Sequence, residues 1–314
     1  MSEQITEQSP IYIIGDTPLA YFLTAKLFLA GETSFLLGEH DTLKNVDTFT
    51  LKDITRAQKS SIRTLRTSVM HDSARMVILC MDPNKIKSGL IYVSAAKARQ
   101  APILSFCHTN NLQIFNEITK QAVIPAYFDG WLSLSAEDKL SYYGSSLGFR
   151  ISCNNKHPHF NLLQNIFSKT EIETVFNEKN AQNFWDYFIP YAACSLFALK
   201  NGSQFREIAK KANYRQDLSI ILDEIISAAP TDIKIAKEKI INNIYLTPQN
   251  YIYPAADEQQ NNAVSEFSFI CETLRKSENF KPSQLPFTTE IIKAKSRLFL
   301  SSVEKKEFTL NNQK

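Results

Sequence analysis

The sequence predicts an α/β protein: an N-terminal domain built on a mostly parallel sheet, followed by an all-helical C-terminal domain. Three observations predict it. Short apolar runs alternate with helix-like segments through the first half, the pattern of strands joined by crossover helices. The first unit of that pattern, residues 11–39, reads strand, tight turn, helix, strand in IYIIGDTPLAYFLTAKLFLAGETSFLLGE. Glycine is also divided unevenly, with seven of eight at or before Gly148 and none after Gly202. Strand-to-helix turns call for glycine, whereas packed helices do not. The expected domains are residues 1–178 and 179–314.

At 314 residues the chain is long enough for two cores. An apolar fraction of 44% with 21% charged residues is that of an ordinary globular protein. A net charge of +3 is too small to call for nucleic acid or an anionic membrane surface as a partner. No apolar run reaches the length of a membrane span, and the polar segment Met1–Pro10 lacks the basic and apolar regions of a signal peptide. The expectation is a cytoplasmic protein with neither a nucleic-acid nor a membrane partner.

Taken in order, Ile11-Tyr12-Ile13-Ile14 is the first strand, Gly15 the turn and Pro18 the start of the first helix. Phe35-Leu36-Leu37 is the second strand, ending near Glu39. Four further apolar runs read as buried strands: 76–81, 103–107, 122–124 and 149–152. Between them, 85–99 and 111–119 read as helices. The stretch 130–153, with two tyrosines and three glycines, suggests antiparallel strands closing the edge of the sheet. His157-Pro158-His159 reads as a turn before a helix, since two histidines without a third ligand nearby do not make a metal site. In the second half, helices are expected at 184–199, 204–212, 218–228, 233–244, 261–277 and 283–298. The five cysteines, far apart and mostly in apolar runs, read as buried reduced thiols.

The turn after the first strand carries chemistry. Gly15-Asp16-Thr17-Pro18-Leu19-Ala20 matches the dinucleotide fingerprint G-x-G-x-x-G/A at its first and last positions and departs at the middle one. Gly15 allows the tight turn, and Ala20 allows helix and strand to pack closely. Thr17 adds a side chain where a pyrophosphate would approach the backbone. Thr17 also suits the helix N-cap, with Pro18 following as the first helical residue, where a missing N–H costs nothing. The helix N-terminus still favours an anion. The domain is therefore expected to be of Rossmann type. Glu39, at the end of the second strand, can accept from ribose hydroxyls and would repel a 2′-phosphate, which favours NADH slightly over NADPH. Met81 and Asp82, after the run at 76–81, complete the expected cofactor-binding set of Gly15, Asp16, Thr17, Pro18, Leu19, Ala20, Glu39, Met81 and Asp82.

Three segments resemble the ketopantoate reductase (2-dehydropantoate 2-reductase) family. They are the opening unit 11–39; Phe184-Trp185-Asp186-Tyr187-Phe188 leading to Leu196-Phe197-Ala198-Leu199; and Ser265-Glu266-Phe267-Ser268-Phe269-Ile270 followed by Phe280-Lys281-Pro282-Ser283. The family holds its substrate with a lysine and two asparagines at i, i+4 and i+8 on the tryptophan-led helix. Anchored on Trp185, those positions are Tyr187, Tyr191 and Ser195; anchored on the Leu196 pattern, they are Asp186, Pro190 and Cys194. Neither register supplies the lysine, and the first is chemically better because it puts three hydroxyls on one helical face. The resemblance also matches Asp82 to a lysine beside the cofactor and His108 to an asparagine. Only Glu266, the family's contact to the substrate hydroxyl, is retained.

The resemblance implies NAD(P)H-dependent reduction of a small 2-oxo acid, foremost ketopantoate in pantothenate biosynthesis. Tyr187 or His108 would supply the proton, with Glu266 as the third catalytic residue, and Tyr191 and Ser195 would bind substrate. No metal is implied, and a homodimer is compatible with it. Two alternatives stand beside this reading: a non-catalytic relative that has lost the reductase site, and a reductase for another 2-oxo acid.

Overall fold

The computed structural model describes residues 9–37, 48–67, 69–70, 74–81, 85, 101–107, 123–135, 139–143, 148–202, 211–247, 251, 253, 256 and 263–296. The expected helices at 85–99, 111–119 and 204–212 fall wholly or largely outside these residues, as do Glu39, Asp82 and His108. The chain divides into two compact units, Met1–Phe184 and Trp185–Lys314.

In the first unit the strands are β1 (Ile11–Ile14), β2 (Ser34–Leu37), β3 (Thr48–Asp53), β4 (Gln58–Arg63), β5 (Leu65–Thr67) and β6 (Met76–Leu79). They continue as β7 (Ile103–Ser105), β8 (Val123–Asp129), β9 (Leu132–Ser135), β10 (Lys139–Tyr142), β11 (Gly148–Ile151) and β12 (Glu173–Phe176). Eight of them form one sheet in the order β12-β11-β8-β7-β6-β1-β2-β5. From β5 across to β8 every pair is parallel; β11 runs antiparallel to β8, and β12 parallel to β11. Every residue of β1 and β6 is buried, as expected of parallel strands covered on both faces. The order reverses between β1 and β6, which makes the carboxyl ends of those two strands the switch point where α/β sheets take ligands.

A second sheet of four strands, β4-β3-β10-β9, stands apart. The expectation for 130–153 is corrected here. β11 does run antiparallel at the main sheet, but β9 and β10 leave it and join the β3–β4 hairpin. The reason is helix α1 (Pro18–Leu29), whose residues from Ala20 to Leu27 are buried without a break. A helix apolar all round needs cover on every side. Phe22 meets Phe128 of the main sheet at 5.5 Å and Tyr142 of the second sheet at 5.1 Å, while Tyr21 meets Phe49 edge-on at 5.8 Å. Lys26, in the last turn, lies with its ammonium 5.0 Å from the centre of the Tyr142 ring, and burial lowers its pKa.

Charge holds the opposite end of this unit. The side chain of Glu32, 7% exposed, binds Arg75 at 2.6 Å and Lys169 at 2.7 Å, tying three loops together. The His157–His159 turn precedes helix α2 (Phe160–Ser168), as expected; the His159 amide donates to His157 Nδ1 at 3.2 Å. Helix α3 (Asn180–Asn201) starts in the first unit. There Tyr127 Oη and Ser152 Oγ both donate to Asn180 Oδ1, and Asn183 Nδ2 donates to Ser152 Oγ.

Every regular element among the described residues of the second unit is a helix. After α3 come α4 (Ala212–Ala228), α5 (Lys237–Tyr245), α6 (Ala263–Lys276) and α7 (residues 286–296). Its core is the apolar side of α3, with Phe188, Ile189, Leu196 and Phe197 fully buried. Glu224 of α4 accepts from the Phe287 and Thr288 amides at 3.0 and 2.6 Å, a carboxylate on the N-terminus of α7. All five cysteines are buried and none forms a disulfide. Among the described residues, no helix is long and apolar enough to cross a membrane.

Candidate functional site

In the first unit, the candidate region is the turn from β1 into α1. Gly15 has φ +139°, and a Cβ there would lie 2.0 Å from the Cys80 carbonyl oxygen. The glycine is required because β6 ends directly against the turn: Cys80 N donates to Ile14 O at 2.8 Å. Thr17 is the N-cap, as expected, its Oγ1 accepting from Ala20 N at 3.2 Å. The same hydroxyl donates its proton to Cys80 O at 3.0 Å. Of the first-turn amides, Pro18 has none, Ala20 serves the cap and Tyr21 donates to Thr17 O at 3.3 Å. Only the Leu19 amide has no acceptor among the described residues. Asp16 Oδ1 accepts from Tyr21 Oη at 2.9 Å, so a carboxylate stands beside the turn. Met81 is buried, and its amide donates to Cys107 Sγ at 3.3 Å.

The turn therefore fits a dinucleotide in its backbone: the Gly15 cradle, the buried Ala20 and the Leu19 amide. It fits poorly in its side chains, because Thr17 occupies the place of the second glycine and Asp16 adds a carboxylate beside the turn.

In the second unit, a separate candidate region lies on α3 and α6. Tyr191 Oη donates to Glu266 Oε2 at 2.6 Å, across 75 residues of sequence. Glu266 is 4% exposed and sits in the first turn of α6, where the helix dipole favours a carboxylate. The Tyr187 ring stacks on Tyr191 at 5.6 Å with 15° between planes. Tyr253 approaches Tyr191 at 6.3 Å, and Tyr251 meets Tyr253 edge-on at 5.0 Å. Burial, and then the Glu266 carboxylate, push the Tyr191 phenol well above its usual range, so it stays protonated and acts as a donor. Burial likewise raises Tyr253, whose hydroxyl donates to Cys194; the Cys194 thiol is pushed up to about 12.

Of the expected residues, the structure brings Tyr187 and Tyr191, two of the three positions of the Trp185 register, together with Glu266. Ser195 is fully buried, and its hydroxyl has no hydrogen-bond partner among the described residues. It is thus not joined to the Tyr191–Glu266 pair. Pro190 falls inside α3, where it has no amide to donate to the Asp186 carbonyl. Sequence reasoning missed Tyr251 and Tyr253; the signal was the Y-x-Y spacing just before the Glu266 helix. It also missed Arg66 on β5, whose Nε and Nη2 are buried with no partner among the described residues.

No protein-family model matches the chain, and no curated protein matches it in sequence. Solved structures do. A ternary structure of D-mandelate dehydrogenase with NADH and anilino(oxo)acetate is similar at TM-score 0.74 and 12% identity, over 91% of this chain and 98% of that one. The fold is that of the ketopantoate reductases. The 2-dehydropantoate 2-reductase of Geobacter metallireducens GS-15 is similar at TM-score 0.74 and 10% identity, over 91% of this chain and 99% of that one. A dimeric ketopantoate reductase from Staphylococcus aureus follows at 0.69 and 14%, over 91% and 98%. The architecture expected from the sequence, a mostly parallel sheet followed by helices, is thus the one observed.

Proposed function

We propose that the chain is an NAD(P)H-dependent reductase of a small 2-oxo acid, with ketopantoate the first substrate to try. The observation that carries this reading is the Tyr191–Glu266 bond of 2.6 Å, which joins the tryptophan-led helix to the retained glutamate in a chain of this fold. The structures similar in fold include reductases of 2-oxo acids and a dehydrogenase holding NADH.

The nicotinamide, when bound, supplies the hydride to the keto carbon. The chain supplies geometry and a proton. Tyr187, stacked on Tyr191, donates its phenolic proton to the oxygen that becomes the alcohol. Glu266 accepts from a substrate hydroxyl, and Tyr191 fixes the carboxylate for that contact. His108 is the second proton-donor candidate. Glu39 favours NADH, and a homodimer is compatible with this reading.

The test is loss of nicotinamide absorbance when the purified chain meets NADH or NADPH together with ketopantoate, and then with aliphatic and aryl 2-oxo acids. Turnover with any of these supports the reading; no turnover with either nucleotide across the series refutes it. A second reading, a non-catalytic relative, is favoured by one observation: Pro18 brings no amide to the turn and the Thr17 hydroxyl takes up that of Ala20. Tight binding of either nucleotide in a calorimetric titration would argue against it.

A further inference from the structure

The carbonyl of Cys80, where β6 ends at the switch point, receives two close neighbours from the opposite side. Gly15 approaches so closely that a Cβ would lie 2.0 Å from the oxygen, and the Thr17 hydroxyl donates to the same oxygen at 3.0 Å. The hydroxyl holds the Ala20 amide as well. One side chain thus spans the crevice between the head of α1 and the end of β6. It satisfies the Cys80 carbonyl and takes up the Ala20 amide, both at the switch point.

We propose that Thr17 is a latch on the dinucleotide site. It ties α1 to β6 across the crevice when no nucleotide is bound, and a dinucleotide enters only as the hydroxyl releases Cys80 O and Ala20 N. Thr17 thereby sets the affinity for nucleotide. Three neighbours act in the same direction. Pro18 brings no amide, the Tyr21 amide is committed to Thr17 O, and the Asp16 carboxylate, held by Tyr21 Oη, repels phosphate. With the latch closed, the first turn offers an anion one amide, that of Leu19. With it open, the Ala20 amide is added and the side-chain bulk leaves the path. The inference rests on the reductase reading only in taking a nicotinamide dinucleotide as the ligand.

The experiment is calorimetric titration of the full chain with NADH and with NADPH, for the wild type, Thr17→Gly and Thr17→Ser. Thr17→Gly removes the latch while keeping a residue that N-caps a helix at little cost. Releasing two hydrogen bonds, each worth about a factor of five, predicts binding roughly thirtyfold tighter in Thr17→Gly. Thr17→Ser keeps the hydroxyl and should bind within about twofold of wild type, by the same hydrogen-bond reasoning. Thermal unfolding without nucleotide verifies that each variant is folded; if Thr17→Gly is not, Thr17→Ala takes its place. Equal or weaker binding by the latch-free variant overturns the proposal, as does binding by none of the proteins. Tighter binding without turnover of any 2-oxo acid upholds the latch and refutes the reductase reading. Turnover by the wild type, with no gain in Thr17→Gly, does the reverse.

Discussion

Replacing Gly15 with alanine puts a methyl group where the backbone of β6 already stands. The new Cβ would lie 2.0 Å from the Cys80 carbonyl oxygen and 2.5 Å from its carbon, and both are backbone atoms at the buried end of a parallel strand that cannot swing aside as a flexible side chain does. Two costs add. An L-residue at φ +139° carries strain of about 1–3 kcal/mol. Forcing the strands apart resembles overpacking a core, at about 1–3 kcal/mol. Together they come to about 2–6 kcal/mol, a large share of the stability of one unit. Gly31 and Gly202 are the controls: both have positive φ, at +77° and +59°, but a Cβ on either meets nothing within 4 Å. Alanine there should cost only the strain of a left-handed residue, about 1–2 kcal/mol. The assay is urea unfolding of the three variants, with Trp131 reporting the first unit and Trp185, at the start of the second, separating the transitions. If Gly15→Ala loses no more stability than Gly31→Ala, the close approach of β1 to β6 is refuted.

Further outcomes follow from other contacts. Glu32→Gln leaves the buried Arg75 guanidinium without its counter-charge and should destabilise the first unit by about 3 kcal/mol in urea unfolding, whereas the double variant Glu32→Met/Arg75→Met should lose less. Arg66→Met removes guanidinium nitrogens buried without partners among the described residues, and should raise the urea midpoint by the equivalent of about 1–3 kcal/mol in the absence of ligand. Burial raises the phenol pKa of Tyr127, Tyr142 and Tyr253, Tyr142 to about 12. Unfolded phenols ionise near pH 10, so above that pH the native state holds more protons than the unfolded one. The stabilisation is intact below about pH 10 and is lost as pH rises above it, by up to about 3 kcal/mol per pH unit in the first unit, which holds Tyr127 and Tyr142, and about 1.4 in the second, which holds Tyr253. Urea midpoints measured at about pH 9 and about pH 11 should differ accordingly. Tyr191→Phe and Glu266→Gln should each slow hydride transfer about 10–100-fold, and a double-mutant cycle on stability should give a coupling of about 1.5–3 kcal/mol for a hydrogen bond to a charged group.

What could be read along the chain was mostly local. Ile11–Ile14, Gly15 and the Thr17–Pro18 helix start are adjacent in sequence, and their roles follow from periodicity and capping chemistry alone. The same holds for the apolar run of α3. The second sheet was hidden for a physical reason: β4 has one buried residue, Ile62, among polar neighbours, so its alternation carries no signal, and its cover is a helix that precedes it. The decisive contacts in both candidate regions span long separations. Thr17 reaches Cys80 over 63 residues, and Tyr191 reaches Glu266 over 75. Helical spacing put Tyr187, Tyr191 and Ser195 on one face, but it could not tell which of them a distant carboxylate would meet. Ser195 shows the limit of such spacing, since the packing of α3 takes it fully into the core.

The position of α1 between two sheets bears on how the first unit comes apart. A four-stranded sheet whose inner face rests on Tyr21 and Phe22 has no core of its own to keep once that helix leaves. Nor can the helix leave one sheet and remain on the other without exposing aromatic surface. The two sheets and the helix should open as a single cooperative unit. Amide protons of Leu140 in the small sheet and Ile13 in the large one should then exchange with solvent through the same event, at the same rate and with the same sensitivity to denaturant.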